Sequence, residues 1–289
     1  MPDQRRAAPE RTGPVVARAL QILVAFTAHH RVMTLSELSR RARMPISTVH
    51  RLATELVACG ALERDSTGSY HIGLRLWEIG SLAPRGQGLR ELALPFLEDL
   101  SQVTRENVQL AVREGTEVVF IERIAGTGAV PVLTRVGGRF ALTATGVGLV
   151  LLAYAPLDVQ EQVLAGPIER YTERTMTTAG QLRAALAQVR AHGYAVSDRQ
   201  VTTDALSVAA PIHDGPGDVV AAVSIVVHYG SASPQTLAPL VQTSARAISR
   251  ALSPSAPNGP SAAWKPEDHQ TRRIAGTVQR GRPPVRDTR

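Results

Sequence analysis

The first sixty residues alternate apolar and polar positions with a helical period. Between residues 15 and 26, Val16, Ala19, Leu20 and Leu23 recur at helical spacing and predict an amphipathic helix that turns this face inward. Thr34 opens a second helix. In "TLSE" its hydroxyl can accept from the Glu37 amide while the Glu37 carboxylate reaches back, a capping box, and Leu35, Leu38 and Ala42 supply the inner face. A third helix begins at Pro45, where a missing amide hydrogen costs nothing. Val49, Leu52, Ala53 and Leu56 follow at i, i+3, i+4 and i+7, and Gly60 stands where a left-handed C-terminal cap belongs. Residues 61–64 and 69–72 then read as two short strands joined by a turn over 65–68. Helix, helix, helix, hairpin is the order of a winged helix-turn-helix.

Residues 88–104 read as another helix, with Leu89, Leu92, Phe96 and Leu100 in register and Pro95 expected to kink it. Beyond it strands mix with helices. "VQLAVRE" and "EVVFIERI" flank Gly115-Thr116 as a hairpin, "PVLTRVG" reads as a further strand, and "LSVAAPIHDGPGDVVAAVSIVV" as a pair around a Gly/Pro turn. Helices are expected at 146–155, 158–165, 179–191 and 233–252. The fold class is α+β, with a largely antiparallel sheet in the second domain. Residues 140–157 carry no charge, but Thr143, Thr145, Gly146, Gly148 and Pro156 interrupt them. They read as a strand running into a buried helix rather than a membrane span.

The expected organisation is a disordered N-terminus (1–13), a winged helix-turn-helix domain (14–78), a linker helix (79–104), a second domain (105–252) and a disordered basic tail (253–289). The 289 residues carry a net charge of +7, which suggests a polyanionic partner. The tail, however, holds seven basic and three acidic residues, a net +4, so a claim of DNA binding rests on the helices. Cys59 is the only cysteine and "MPDQRRAAPERTG" has no apolar signal-peptide core. Both fit a cytoplasmic protein without internal disulfides.

A helix entering the major groove presents there the side chains its own core does not use. On the third helix these are Ser47, Thr48, His50, Arg51, Thr54 and Glu55. Ser47 and Arg51 are four apart and Thr48 and Arg51 three apart, so they share a face. Arginine can donate two hydrogen bonds to a guanine edge, and short hydroxyls reach phosphate or base edges. Arg40, Arg41 and Arg43 sit where the preceding helix and turn would cross the phosphate backbone. With Pro45 at the helix start and Arg64 on the hairpin, they complete the candidate surface for double-stranded operator DNA.

"VARALQILVAF", "TLSELSRRARMPISTVHRLATELVACGALERD", "YHIGLRLWEIG", "GYAV" and "VAAPIHDGPGDVVAAVSI" resemble, in order, the successive blocks of the IclR family of bacterial transcriptional regulators. The resemblance runs from about residue 15 to 252. It implies a winged helix-turn-helix, a linking helix and a C-terminal effector-binding and oligomerisation domain related to GAF domains, working as dimers or dimers of dimers without a cofactor, a metal or a membrane. It also implies a small organic effector, often a carboxylate or aromatic metabolite, held at the turn "ALTATGVGLVLLA". Gly146 and Val147 fall on the matching positions, where helix-start amides can hold an anionic group. Ser197, Asp198, Ser207 and Ser224 map onto further pocket positions. Thr143 and Leu149 stand where the family usually has a histidine and a lysine, Ser197 where an acidic residue is frequent, Ser207 where a cysteine is, and Val226 in place of a second serine. The departures point to a neutral or weakly acidic, partly apolar effector.

The rival reading is a small-molecule enzyme or sensor whose helical region serves protein contacts. It needs a nucleophile or acid–base pair in the second domain, and none has usable spacing. The scattered histidines, His192, His213 and His228, lie on different elements. His29 and His30 read as favourable charges at a helix end rather than metal ligands.

Overall fold

The computed structural model describes residues 14–27, 29–83, 86–215 and 217–253. The expected disordered N-terminus and the 254–289 part of the basic tail lie outside them. The N-terminal elements are α1 (Val15–Val24), β1 (Val32–Met33), α2 (Leu35–Arg41), α3 (Ile46–Ala58), β2 (Leu62–Arg64), β3 (Tyr70–Ile72) and α4 (Leu74–Gly80). Ile22, Met33, Leu38, Val49, Leu52, Ala53, Leu62 and Tyr70 form their common core. The capping box is present: Thr34 N donates to Glu37 Oε2 at 2.8 Å and Glu37 N to Thr34 Oγ1 at 3.3 Å. Gly60 takes φ +77°, the left-handed cap expected of it. The hairpin β2–β3 pairs antiparallel, and β1, not foreseen, adds to its free edge in the order β1-β3-β2.

The expected inner face of α1 is corrected. Val16 and Leu20 are 71% and 55% exposed, and Ile22 and Ala25 are buried in their place. Leu23 of the expected face does pack against this core, which otherwise takes the neighbouring side of the helix. His29 and His30 also fall beyond the end of α1, not in its last turn.

The second half comprises α5 (Gln87–Thr104), β4 (Asn107–Glu114), β5 (Glu117–Ile124), β6 (Arg139–Ala141), α6 (Gly146–Ala153), α7 (Leu157–Ala165), α8 (Ala179–His192), β7 (Ala195–Asp198), β8 (Ala205–Asp214), β9 (Asp218–His228) and α9 (Pro234–Leu252). α5 continues through Pro95. Six strands form one antiparallel sheet, ordered β6-β5-β4-β9-β8-β7. One face packs Leu110, Val208, Ala210, Val223 and Ile225 against Leu97 of α5 and Val241 and Ile248 of α9. The other packs Ala111, Phe120, Ala209 and Ala222 against α6 and against Leu182 and Leu186 of α8. Every residue of α6 is buried, which is why its sequence carries no polar face.

"PVLTRVG" is not a strand. Residues 131–137 form a loop, and the edge strand β6 comes after it. Asn107 Nδ2 fixes the Val130 carbonyl at 2.7 Å and Gln109 Nε2 the Thr134 hydroxyl at 2.6 Å, so side chains replace a ladder there. Ser253, assigned to the tail, instead caps α9, its hydroxyl accepting from Gly215 N at 2.8 Å.

Candidate functional site

Two features are candidates, the surface around α3 and a cavity beside α6. The turn between α2 and α3 is locked from within. Gln21 Nε2 donates to the Ala42 carbonyl at 2.9 Å, Ser39 Oγ to the Met44 carbonyl at 2.7 Å, and Ala42 and Met44 are buried. Between them Arg43 is exposed and held at φ +51°, a left-handed conformation that costs a side-chain-bearing residue about 1–2 kcal/mol.

Ser47, His50, Arg51 and Thr54 are exposed at i, i+3, i+4 and i+7 of α3, and Thr48 is half-buried beside them. Pro45 caps the helix from outside, one position earlier than expected. Arg51 Nη1 lies 2.8 Å from Glu55 Oε1, both side chains being more than half exposed. Such an i,i+4 pair is worth about 0.3–0.5 kcal/mol, so a guanine edge or a phosphate can take the guanidinium over cheaply. The Thr54 hydroxyl donates to the His50 carbonyl at 2.9 Å and keeps only its lone pairs for a partner. On the hairpin, Arg64 is oriented by Gly68 O, 3.1 Å from its Nε, and by the Tyr70 ring, 5.4 Å away. Arg40 is exposed at the end of α2. Arg41 is engaged differently: its Nε donates to the Ala25 carbonyl at 3.0 Å, bracing α2 against the end of α1.

The cavity beside α6 is lined by Gln109, Thr134, Thr145, Gly146, Val147, Ser197, Val201, Thr202, Ala205, Ser207 and Val226 together with Val132 and Leu133. The space between these residues, counted together with its opening to solvent, is about 450 Å³, and only a small part of it is enclosed. That suits a few waters or one small ring. Among the described residues, no charged side chain lines it. Thr145 caps α6, its Oγ1 accepting from Gly148 N at 3.0 Å. The Gly146 and Val147 amides face no intrahelical acceptor and have none among the described residues. Gly146 lies close against β8: a Cβ there would meet Ser207 Oγ at 2.8 Å and Ala209 Cβ at 3.3 Å, so Ser207 would have to turn aside.

Ser197 and Ser207 face each other across β7 and β8, and the Ser197 hydroxyl donates to the Ala144 carbonyl at 2.7 Å. Of the effector positions taken from the resemblance, Gly146, Val147, Ser197 and Ser207 therefore meet at one cavity. Asp198 and Ser224 do not line it. Asp198 points away along the alternation of β7 and grips Arg199 through two bonds of 2.8 and 3.1 Å. That hydrogen bonding holds its carboxyl below the usual aspartate range. Ser224 is fully buried between Gln109 and Ala209 in the sheet, its hydroxyl without a partner. Gln109, Thr134 and Thr202 were missed. Gln109 had a signal, a lone amide amid the apolar run of β4, whereas the loop residues had none.

A family model described as the IclR helix-turn-helix domain matches residues 15–66, and one described as the C-terminal part of the bacterial transcriptional regulator IclR matches residues 83–250. The chain belongs to the IclR family of bacterial transcriptional regulators. The two matches divide as the structure does, α1 to the hairpin turn and α5 to α9. Among IclR-type relatives, the HTH-type transcriptional regulator BhcR of Paracoccus denitrificans is 35% identical over 82% of this chain and 86% of its own length. The HTH-type transcriptional repressor AllR of Klebsiella pneumoniae is 28% identical over 87% of this chain and 94% of its own. A crystal structure of an IclR homolog from Microbacterium hydrocarbonoxydans, complexed with 4-hydroxybenzoate, superposes with a TM-score of 0.77 at 38% identity, covering 83% of this chain and 99% of that one. The structural helix-turn-helix of this IclR-family chain is thus α2–α3, with β2–β3 as its wing.

Proposed function

We propose that this regulator binds operator DNA as a homo-oligomer through the exposed face of α3, in the cytoplasm, and that a small carboxylate-bearing effector in the α6 cavity controls it. Its target is then a catabolic or metabolic operon, and it acts by binding, not catalysis. The observation that carries the effector reading is the pair of unpaired amides at the start of α6, facing a cavity with neutral walls. Amides and helix dipole favour one anionic group, while Val132, Leu133, Val147, Val201 and Val226 favour an apolar body behind it. With no cationic side chain on the wall among the described residues, a single carboxylate suits it better than a dianion. The 4-hydroxybenzoate bound by the Microbacterium relative has this make-up.

Homo-oligomerisation is supported by apolar faces left uncovered among the described residues. Val16, Leu20 and Val24 recur at i, i+4 and i+8 on α1, and Leu74 and Trp77 lie on α4, all more than half exposed. Two-fold pairing would set two α3 helices on half-sites about 34 Å apart, a spacing that modest rearrangement detunes. No helix among the described residues is long and apolar enough to cross a membrane.

Calorimetric titration of the full chain with 4-hydroxybenzoate and a panel of small mono- and dicarboxylates tests the effector assignment. Monocarboxylates should bind one per chain, and Gly146→Ala should abolish their heat while leaving operator affinity intact. Binding that survives Gly146→Ala would place the effector elsewhere.

A further inference from the structure

Glu122 and Arg123 are neighbours on β5 that serve opposite faces of the sheet. Strands β4 and β5 pair regularly from Glu114↔Glu117 to Ala111↔Phe120. The register then shifts, and Leu110 pairs with Glu122 and Gln109 with Arg123. Ile121 is the extra residue of a β-bulge. Since side chains alternate along a strand, one extra residue inverts the alternation. Without it, Glu122 would follow Phe120 into the apolar core beneath α6. With it, Glu122 turns to the α5 side alongside Leu110, and Arg123 turns to the cavity side alongside Gln109.

Both side chains are engaged on their own faces. Glu122 Oε2 accepts from Arg90 Nε of α5 at 2.6 Å, and its Oε1 accepts from the Arg123 amide at 2.8 Å. The carboxylate side chain is 11% exposed and Arg90 38%, so the bond is shielded from water on one side. Across the sheet, Arg123 Nε donates to Asn107 Oδ1 at 3.3 Å and its Nη1 to the Thr134 carbonyl at 3.4 Å. Asn107 also holds the Val130 carbonyl and Gln109 the Thr134 hydroxyl, so these bonds converge on the 130–134 wall of the cavity. The α5 end is short and charge-assisted; the cavity end is long and easily remade.

We infer that the bulged Glu122–Arg123 pair couples the cavity wall to the linker helix through the sheet. A ligand that shifts residues 130–134 changes the hold on the Arg123 side chain. The Arg123 backbone is bonded to the same carboxylate that anchors the start of α5, the helix through which the chain joins the two halves. Arg90, Glu122 and Arg123 act as positioning residues and need not touch the effector. The inference rests on the cavity being the effector site, but its test does not require a known effector.

Hydrogen–deuterium exchange on the full-length variants R90Q, R123Q and the double variant decides it, with thermal melts confirming that each is folded. Arg90 lies on the far face from the cavity. R90Q should nonetheless speed exchange in the 130–135 loop as well as in the first turns of α5, by roughly tenfold for loss of a charged hydrogen bond. R123Q should do the same in reverse, and the double variant should exceed neither single by much, the mark of one coupled unit. Exchange changes confined in each variant to its own face, or simply adding in the double, would overturn the coupling. A parallel titration of wild type with 4-hydroxybenzoate speaks only to the effector reading, so the two can fail separately.

Discussion

At the scale of single residues, the proposed reading of DNA rests on Arg51. Its guanidinium is exposed, on the face shared with Ser47, His50 and Thr54, and is only lightly engaged by Glu55. Arg51→Ala should cost about 1–3 kcal/mol of operator affinity, the value of a bidentate base contact, and should relax selectivity. Fluorescence anisotropy with operator and scrambled duplexes reads both, and unchanged selectivity would remove Arg51 from base reading. Arg41 reads as a phosphate contact because it sits among arginines. Its Nε is given to the Ala25 carbonyl, an engagement that position in a basic run does not reveal, while the residue stays exposed. The face that Arg51 shares with Ser47, by contrast, is legible as an i,i+4 spacing.

At the scale of elements, the cavity depends on the β7–β8 loop. Val201, Thr202 and Ala205 make one wall, and the loop is fastened at its root. Arg199, at φ +53°, is gripped by Asp198 and lies over the Tyr229 ring at 3.5 Å, while its carbonyl accepts from Thr172 Oγ1 at 2.7 Å. Asp198→Asn should loosen this wall and weaken effector binding several-fold without changing operator affinity in the absence of ligand, as calorimetry and anisotropy on one preparation will show. The hydrogen bond from Arg199 lowers the Asp198 pKa, so the fastening is present above the ordinary aspartate range and is lost only as pH falls through that lowered value. Effector affinity should accordingly show no step from this group between about pH 6 and 8. Elements with a local signature were legible in the sequence: the Thr34 box, the Gly60 cap, the β4–β5 hairpin and the strand-to-buried-helix passage into α6. The cavity walls were not. Loop 131–137 looks like a strand because Val132, Leu133 and Val136 satisfy the propensity, but its partners are the Asn107 and Gln109 side chains, a tertiary arrangement no local pattern encodes. Asp198 was misplaced because its number along β7 was known and its face of the strand was not.

At the scale of the whole molecule, the apolar stripe of α1 carried a true signal that was assigned to the wrong surface. A periodic face marks a surface suited to burial, and the proposed homo-oligomer is what would bury it. Leu20 is 55% exposed, so Leu20→Glu should leave the fold intact and lower the oligomeric order measured by sedimentation velocity. An unchanged assembly would assign the contact to other surfaces. The small net charge of the regulator outside its basic tail places the weight of DNA recognition on geometry: in the proposed function two α3 helices meet their grooves together, and a ligand in the α6 cavity disturbs that arrangement through α5. Anisotropy titration of the full chain at about physiological salt, on its own upstream duplex and on a scrambled duplex of equal length, measures this most directly. The account predicts an affinity for the upstream duplex at least about a thousandfold above the scrambled one, with Arg51→Ala closing much of the gap. Equal affinity for the two duplexes, with wild type and Arg51→Ala superimposable, would contradict it.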